Sequence, residues 1–293
     1  MYLLPSDWEV VGAYNTAPIT PHAPGRMAVG MDFTRKDAYA FLDQMPPVDA
    51  VIHCAALTNV DRCEVYRQSA YALHVGVTQQ IAEYCRRTKT HLIHISTDHI
   101  FDGNSGAYRE DSPPHPLNYY AQTKLEAEAA VLQSGAAHTI VRTNFFGYNF
   151  QSKNDLASWI VSTLQEQEPV RLFTDAIFSP LLVNTFSEWL EYIISQRLQG
   201  LYNVAGHDSI SKYAFGVRLA ELFSLDKSLI EPVSIADSHL TARRPKNMSL
   251  DVSLVERIVG HRLPTAEESL RAYHALSTEG YPQKLKNFLT SSV

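Results

Sequence analysis

Apolar residues fall along the first half of the chain in two alternating textures. Short apolar runs bounded by polar or turn-forming residues read as buried parallel strands: Trp8 to Ala13, Ala50 to Cys54, His91 to Ser96 and His138 to Arg142. Between them the apolar positions recur at helical spacing. Ala70, Leu73, Val77, Ile81 and Cys85 line one face of a stretch from about Arg67 to Thr88, and a second helix is predicted over Tyr119 to Gln133. Strands and helices in alternation predict an α/β domain with a doubly wound parallel sheet.

After Arg142 the texture changes. Helices are predicted over Asp155 to Gln167, Thr185 to Gln196 and Lys212 to Phe223, strands over Val170 to Phe173 and Leu201 to Val204, and a turn at His207 to Ser209. A charged, Pro-punctuated tail follows. This predicts a larger domain over residues 1–147 and about 178–206, interleaved with a smaller C-terminal one over about 148–177 and 207–293.

Composition narrows the function classes. The 293 residues are 45% hydrophobic and 19% charged, the balance of a globular protein with a real core. A net charge of −6 leaves no excess of Lys and Arg for a phosphate backbone, so nucleic acid is not an expected partner. MYLLPSDWEVVG has neither a basic segment nor a long apolar one, and no later stretch reads as a bilayer span, so no membrane is expected and the chain reads as cytoplasmic. Cys54, Cys63 and Cys85, an odd number with no CxxC, fit reduced thiols. His91, His94 and His99 resemble a metal cluster, but on a strand His91 and His94 face opposite sides, so no metal site is expected. No GxSxG elbow supports covalent hydrolysis.

The chemistry concentrates in three places. Tyr120 and Lys124 stand four apart on the helix that starts near Asn118, which puts both on one face. An ammonium beside a phenol favours the phenolate, and such a pair can pass a proton near neutrality, although a solvated helix face can carry the same spacing. Upstream, the strand of HLIHISTDHIFDG ends in Ser96, Thr97 and Asp98, at the carboxyl end where ligands bind in open α/β sheets, so Thr97 is placed to hold a carbonyl oxygen. In DAVIHCAALTNVDRCE another strand ends in Ala55 and Ala56, small enough for a flat ligand to approach the backbone.

The segments DAVIHCAALTNVDRCE, ISTDHIFDG, YREDSPPHPLNYYAQTKLEAE, VRTNFFGYNF, GLYNVAG and ARRPKNMSLD, in this order over nearly the whole chain, resemble the dTDP-4-dehydrorhamnose reductase family of extended short-chain dehydrogenases. The resemblance implies a Rossmann-like fold and reduction of a 4-keto group on a nucleotide-linked deoxysugar by NADPH or NADH. It implies catalytic roles for Thr97, Tyr120 and Lys124. It places the cofactor against Asp32, Phe33, Cys54, Ala55, Ala56, His74, Tyr120 and Lys124, and the nucleotide-sugar substrate against Thr58, Asp98, Phe101, Asn144, Phe145 and Arg244. The same phrases are similar to the regulatory beta subunit of methionine adenosyltransferase, which implies the alternative of a non-catalytic binding subunit. A homodimer or a partner enzyme are the candidate assemblies.

The departures from the family pattern carry their own expectations. Relatives open with a strand and a Gly-rich turn that cradles the cofactor pyrophosphate. Here the first glycine is Gly12 and no GxxGxxG occurs, so the expectation is a doubly wound sheet lacking its first strand and Gly-rich loop, in a chain that starts late or is trimmed. His74 stands where relatives carry Asn, and Ala121 replaces the Gly after the catalytic Tyr. Asn15 is neutral at the position that selects between NADH and NADPH, with Arg26 the nearest downstream cation.

Overall fold

The computed structural model describes residues 3–15, 21, 23–35, 42–149 and 155–290. Eight strands of four or five residues carry the fold: β1 (Val10–Tyr14), β2 (Arg26–Gly30), β3 (Ala50–His53), β4 (His91–Ile95), β5 (His138–Arg142), β6 (Val170–Phe173), β7 (Gly200–Asn203) and β8 (Ile230–Val233). The helices are α1 (Val60–Val65), α2 (Arg67–Tyr71), α3 (Val77–Thr88), α4 (Tyr119–Gln133), α5 (Leu156–Gln165), α6 (Val183–Ser195), α7 (Lys212–Leu222), α8 (Ser253–Val259), α9 (Ala266–Thr278) and α10 (Tyr281–Thr290).

The main sheet is parallel, in the order β7-β5-β4-β3. Every residue of β4 is buried, as a central strand covered on both faces requires. Its side chains sort by the two-residue period. Leu92, with Ile140 of β5, packs under α3 and α4 against Ile81, Cys85 and Val131. Ile93 and Ile95, with Val141, face Leu190 and Ile193 of α6 and Val255 of α8. Helices on both faces make the domain doubly wound, as expected.

β1 and β2 form a separate parallel pair, and among the described residues no strand joins that pair to the open edge of β3. Among the described residues the pair and the main sheet are separate sheets. β2 carried no strand signal of its own, because RMAVG offers only three apolar residues to a five-residue span.

A third core lies in the C-terminal half, where Ile160 and Leu164 of α5, Leu172 of β6, Phe215 and Leu219 of α7, and Leu270 and Tyr273 of α9 close on one another. α9 and α10 correct the expectation of a charged tail. Thr265 after Pro264 starts α9 with a capping box, its side chain accepting from Glu268 N while Glu268 reaches back to Thr265 N. That local device, with Leu270 and Tyr273 on the buried face, outweighs the polar composition.

The expected helix over Arg67 to Thr88 is continuous, with one widened turn. Ala72–Gly76 forms a π-helical turn between α2 and α3. The widened turn carries His74, whose Nε2 accepts from Leu57 N at 2.9 Å and whose Nδ1 lies 2.7 Å from Thr123 Oγ1.

Candidate active site

The catalytic helix α4 is started by Asn118, whose side-chain oxygen accepts from Ala121 N at 2.9 Å while its amide donates to Arg243 O, also at 2.9 Å. From that start Tyr120 and Lys124 face the carboxyl end of β4, and Thr97, 5% exposed, meets them there. The Thr97 hydroxyl lies near enough to the Tyr120 phenol to act on it. The rings of His74 and His99 pack edge-on against Tyr120, with centroids 5.6 and 5.8 Å away.

The electrostatics correct one expectation. Burial pushes the Tyr120 phenol up to about 12; Thr97 works against the rise, and Asp98 and Cys63 add to it. Lys124 is not among the groups that act on the phenol. Its Nζ donates to Ile95 O at 2.7 Å and lies 3.5 Å from His94 Nε2. Burial lowers Lys124 from 10.5 to about 8, with Glu128 and Cys54 pulling the other way. Burial and then the Lys124 charge keep the neighbouring imidazoles neutral: His53 falls to about 3, His74 to about 4, and His94 well below its usual value.

Asp98, 1% exposed, accepts from Asn144 Nδ2 at 2.6 Å and from Thr97 Oγ1 at 3.2 Å. Burial raises its carboxyl to about 6, against the pull of those bonds and of Lys212. Phe145 is 42% exposed beside Asn144 and leans on Phe186. Cys54, Ala55 and Thr58 are exposed on the segment after β3, with Ala56 half-buried among them. These residues have surface to present to a ligand.

The remaining expected site residues are held by contacts within the chain. Phe101 is fully buried, stacked on Tyr108 at 4.2 Å under the Arg142 guanidinium, so it builds the floor and has no face for substrate. Asp32 and Phe33 follow β2, in the smaller piece of sheet, where Asp32 Oδ1 accepts from Thr34 N at 2.9 Å. Arg26 is committed to the chain itself, donating to the carbonyls of Trp8, Leu4 and Pro5. Arg244 donates to Asp61 Oδ2 at 2.7 Å. His91 bonds Thr139 Oγ1 at 2.8 Å while His94 faces Lys124, and no metal-holding group of His, Cys, Asp or Glu occurs among the described residues.

Sequence reasoning missed three contributors. Glu64 accepts from Tyr119 N at 2.7 Å and so ties α1 to the start of α4. Glu128 and Arg142 form a buried pair at 2.8 Å behind the strand end. Lys212 opens α7 near Asp98. Asp61 and Glu64 were visible inside TNVDRCE, but a six-residue helix leaves too little periodicity to reveal their face.

A doubly wound parallel sheet whose strand end brings a threonine to a half-buried Tyr and a buried Lys defines a Rossmann-like α/β protein of the short-chain dehydrogenase type. The family model described as RmlD substrate binding domain matches residues 7–278, and the chain belongs to that family. It is 32% identical over 270 residues to a probable low-salt glycan biosynthesis reductase of Haloferax volcanii, covering 91% of this chain and 89% of that protein. It is 31% identical over 233 residues to the beta subunit of methionine adenosyltransferase 2 from Xenopus tropicalis, covering 73% of this chain and 66% of that one. The crystal structure of dTDP-4-dehydrorhamnose reductase from Bacillus anthracis in complex with NADP matches with a TM-score of 0.80 at 26% identity, over 85% of this chain and 89% of that one. No helix of the described residues is long and apolar enough to cross a membrane.

Proposed function

We propose that this chain reduces the 4-keto group of a nucleotide-linked deoxysugar with NADPH or NADH. The observation that carries the reading is the half-buried Tyr120, packed against His74 and His99 and beside Thr97 at the carboxyl end of β4. Such a phenol keeps its proton through the physiological range and can give it to an oxygen that becomes negative. The resemblance to reductases, one crystallised with NADP, supports the same reading.

The residues fit the nicotinamide-ribose end of a dinucleotide. Exposed Cys54 and Ala55 present little side chain at the end of β3, and the Lys124 ammonium has a donor beyond the one that Ile95 O accepts. Ala56 and His74 complete that end, and Asp32 and Phe33 are assigned to the adenine side. The bound cofactor supplies the hydride. Thr97 orients the keto oxygen, Tyr120 delivers the proton to it, and Asp98, Asn144, Phe145 and Thr58 hold the sugar nucleotide. Steady-state reduction of a dTDP-4-keto sugar, followed as loss of NADPH or NADH absorbance, tests the reading, and absence of turnover with either cofactor rejects it.

Lys124→Met is expected to lose activity and gain stability together. A lysine whose folded value is depressed from 10.5 to about 8 costs stability wherever both states are charged, below pH 8, and the cost fades as pH rises from 8 towards 10.5. At roughly 1.4 kcal/mol per unit of depression, less the lost bond to Ile95 O, the variant gains about 2 kcal/mol at pH 7. Melting curves of parent and variant should converge between pH 7 and 9.5. Parent turnover should fall above about pH 8 as the ammonium is lost, and residual turnover in the variant should lack that limb. A variant that melts lower at pH 7 would make Lys124 a structural residue.

A further inference from the structure

Glu128 lies one turn beyond Lys124 on α4, and its buried carboxylate collects donors from two strands. From β5, Arg142 donates through Nη2 to Oε2 at 2.8 Å and through Nε to Oε1 at 3.1 Å. From just past the end of β4, Ser96 Oγ donates to Oε1 at 2.5 Å. Ser96 falls on the α4 face of the strand with Leu92 and His94, by the two-residue period. One residue earlier the tie runs the other way, where Lys124 Nζ donates to Ile95 O at 2.7 Å. Two ties of opposite sense therefore hold α4 to consecutive residues directly before Thr97.

Further bonds close a ring on the other side of Thr97. Ser96 N donates to Val141 O at 2.7 Å, which keeps the two strand ends in register. Asn144, two residues beyond Arg142, donates to Asp98 Oδ2 at 2.6 Å, and Thr97 Oγ1 donates to Asp98 Oδ1 at 3.2 Å. The circuit thus runs from Glu128 through Ser96, Thr97, Asp98 and Asn144 to Arg142 and back. All of these but Asn144 are 5% exposed or less. Hydrogen bonds to an ionised group are short and directional, and in a low-dielectric interior they resist displacement. Such a frame fixes where Thr97 stands relative to α4, and so relative to Tyr120 in its first turn.

We propose that Ser96 and Glu128 are positioning residues for the reaction: Glu128, anchored by Arg142, holds Ser96 and through it sets the placement of Thr97 against Tyr120. Both side chains are buried and spent on each other, so they act through Thr97. A misplacement of about 1 Å at reacting groups can cost on the order of a hundredfold in rate while leaving substrate binding alone. Ser96 is where the frame can be loosened without stranding Arg142, whose bonds to Glu128 do not need the serine. This rests on the reading of the crevice as a reductase site.

The test is single-turnover reduction of a dTDP-4-keto sugar at saturating cofactor, with KM and urea unfolding measured alongside. The proteins are the full chain as parent, Ser96→Ala, Ser96→Thr, Thr97→Ala, and Ser96→Ala combined with Thr97→Ala. Ser96→Ala should lower the rate at least about tenfold with KM within about twofold, at urea concentrations and temperatures where the variant is fully folded. Ser96→Thr keeps the donor and should recover most of the rate. In the Thr97→Ala background, Ser96→Ala should cost less than about twofold, since the group it positions is gone, whereas a loss through general destabilisation would appear in both backgrounds. A parent that turns over, with Ser96→Ala within about threefold of it, overturns the positioning role alone. The same fractional loss in both backgrounds does so too. If the added methyl of Ser96→Thr unfolds the chain, the comparison of backgrounds decides; if Thr97→Ala is too slow to follow, the rescue by Ser96→Thr decides. A parent without turnover rejects the reductase reading and the positioning role together.

Discussion

Tyr120→Phe should lower turnover of a dTDP-4-keto sugar by about a thousandfold, the scale of one positioned general acid, with KM within a few-fold and the melting temperature unchanged or higher. The phenol lies at the strand end with Thr97 beside it, so the substitution removes one oxygen and leaves the ring packed between His74 and His99. Because burial holds Tyr120 near 12, it remains the protonated form throughout the range in which Lys124, near 8, changes charge. The pH profile of the parent should therefore carry the Lys124 limb and none from Tyr120 below about pH 11. Single-turnover rates with saturating cofactor separate the chemical step from binding. Turnover within tenfold of the parent would remove Tyr120 from the chemistry.

Glu128→Ala should be among the most damaging substitutions to stability, costing about 3 to 5 kcal/mol, because it strands a buried guanidinium. Glu128 accepts from Arg142 at 2.8 Å, with side chains only 2% and 5% exposed, and takes a further hydrogen bond from Ser96 Oγ at 2.5 Å. Arg142 also donates to Glu110 O at 3.1 Å and lies over the Phe101 ring. The paired change Glu128→Leu with Arg142→Met should cost less than either single loss, since no charge is left alone. Urea unfolding of the four proteins measures the cycle. A loss below 1 kcal/mol for Glu128→Ala would show that Arg142 finds water or another acceptor.

β5, β6 and α4 were legible in the sequence to the residue, and β3 and β4 to within one. Those segments carry strong periodicity, and Asn118 marks the start of α4 through its own side chain. The candidate site was legible as residue types: Tyr120 and Lys124 share α4, and Lys124 reaches the end of β4 that Thr97 follows. Its electrostatics were not, because spacing along a helix does not say which way an ammonium turns, and Lys124 turns to the backbone of β4. Phe101 was placed at the substrate by resemblance, but only tertiary packing reveals the ring stacked under it. The Asp61 to Arg244 pair joins residues too far apart in the chain for any local pattern to connect them.

The division of the sheet has a consequence for how the molecule opens. A two-stranded ribbon contributes few interstrand hydrogen bonds and little cooperative depth, whereas β4 is locked between neighbours and covered on both faces. Amide protons of Val10–Tyr14 are thus set to exchange through small local openings, while those of His91–Ile95 wait for unfolding of the whole domain. A ligand resting on both pieces at once holds the looser one by occupancy, so part of its binding energy goes into ordering the ribbon. Affinity and the rigidity of the first strands then rise and fall together.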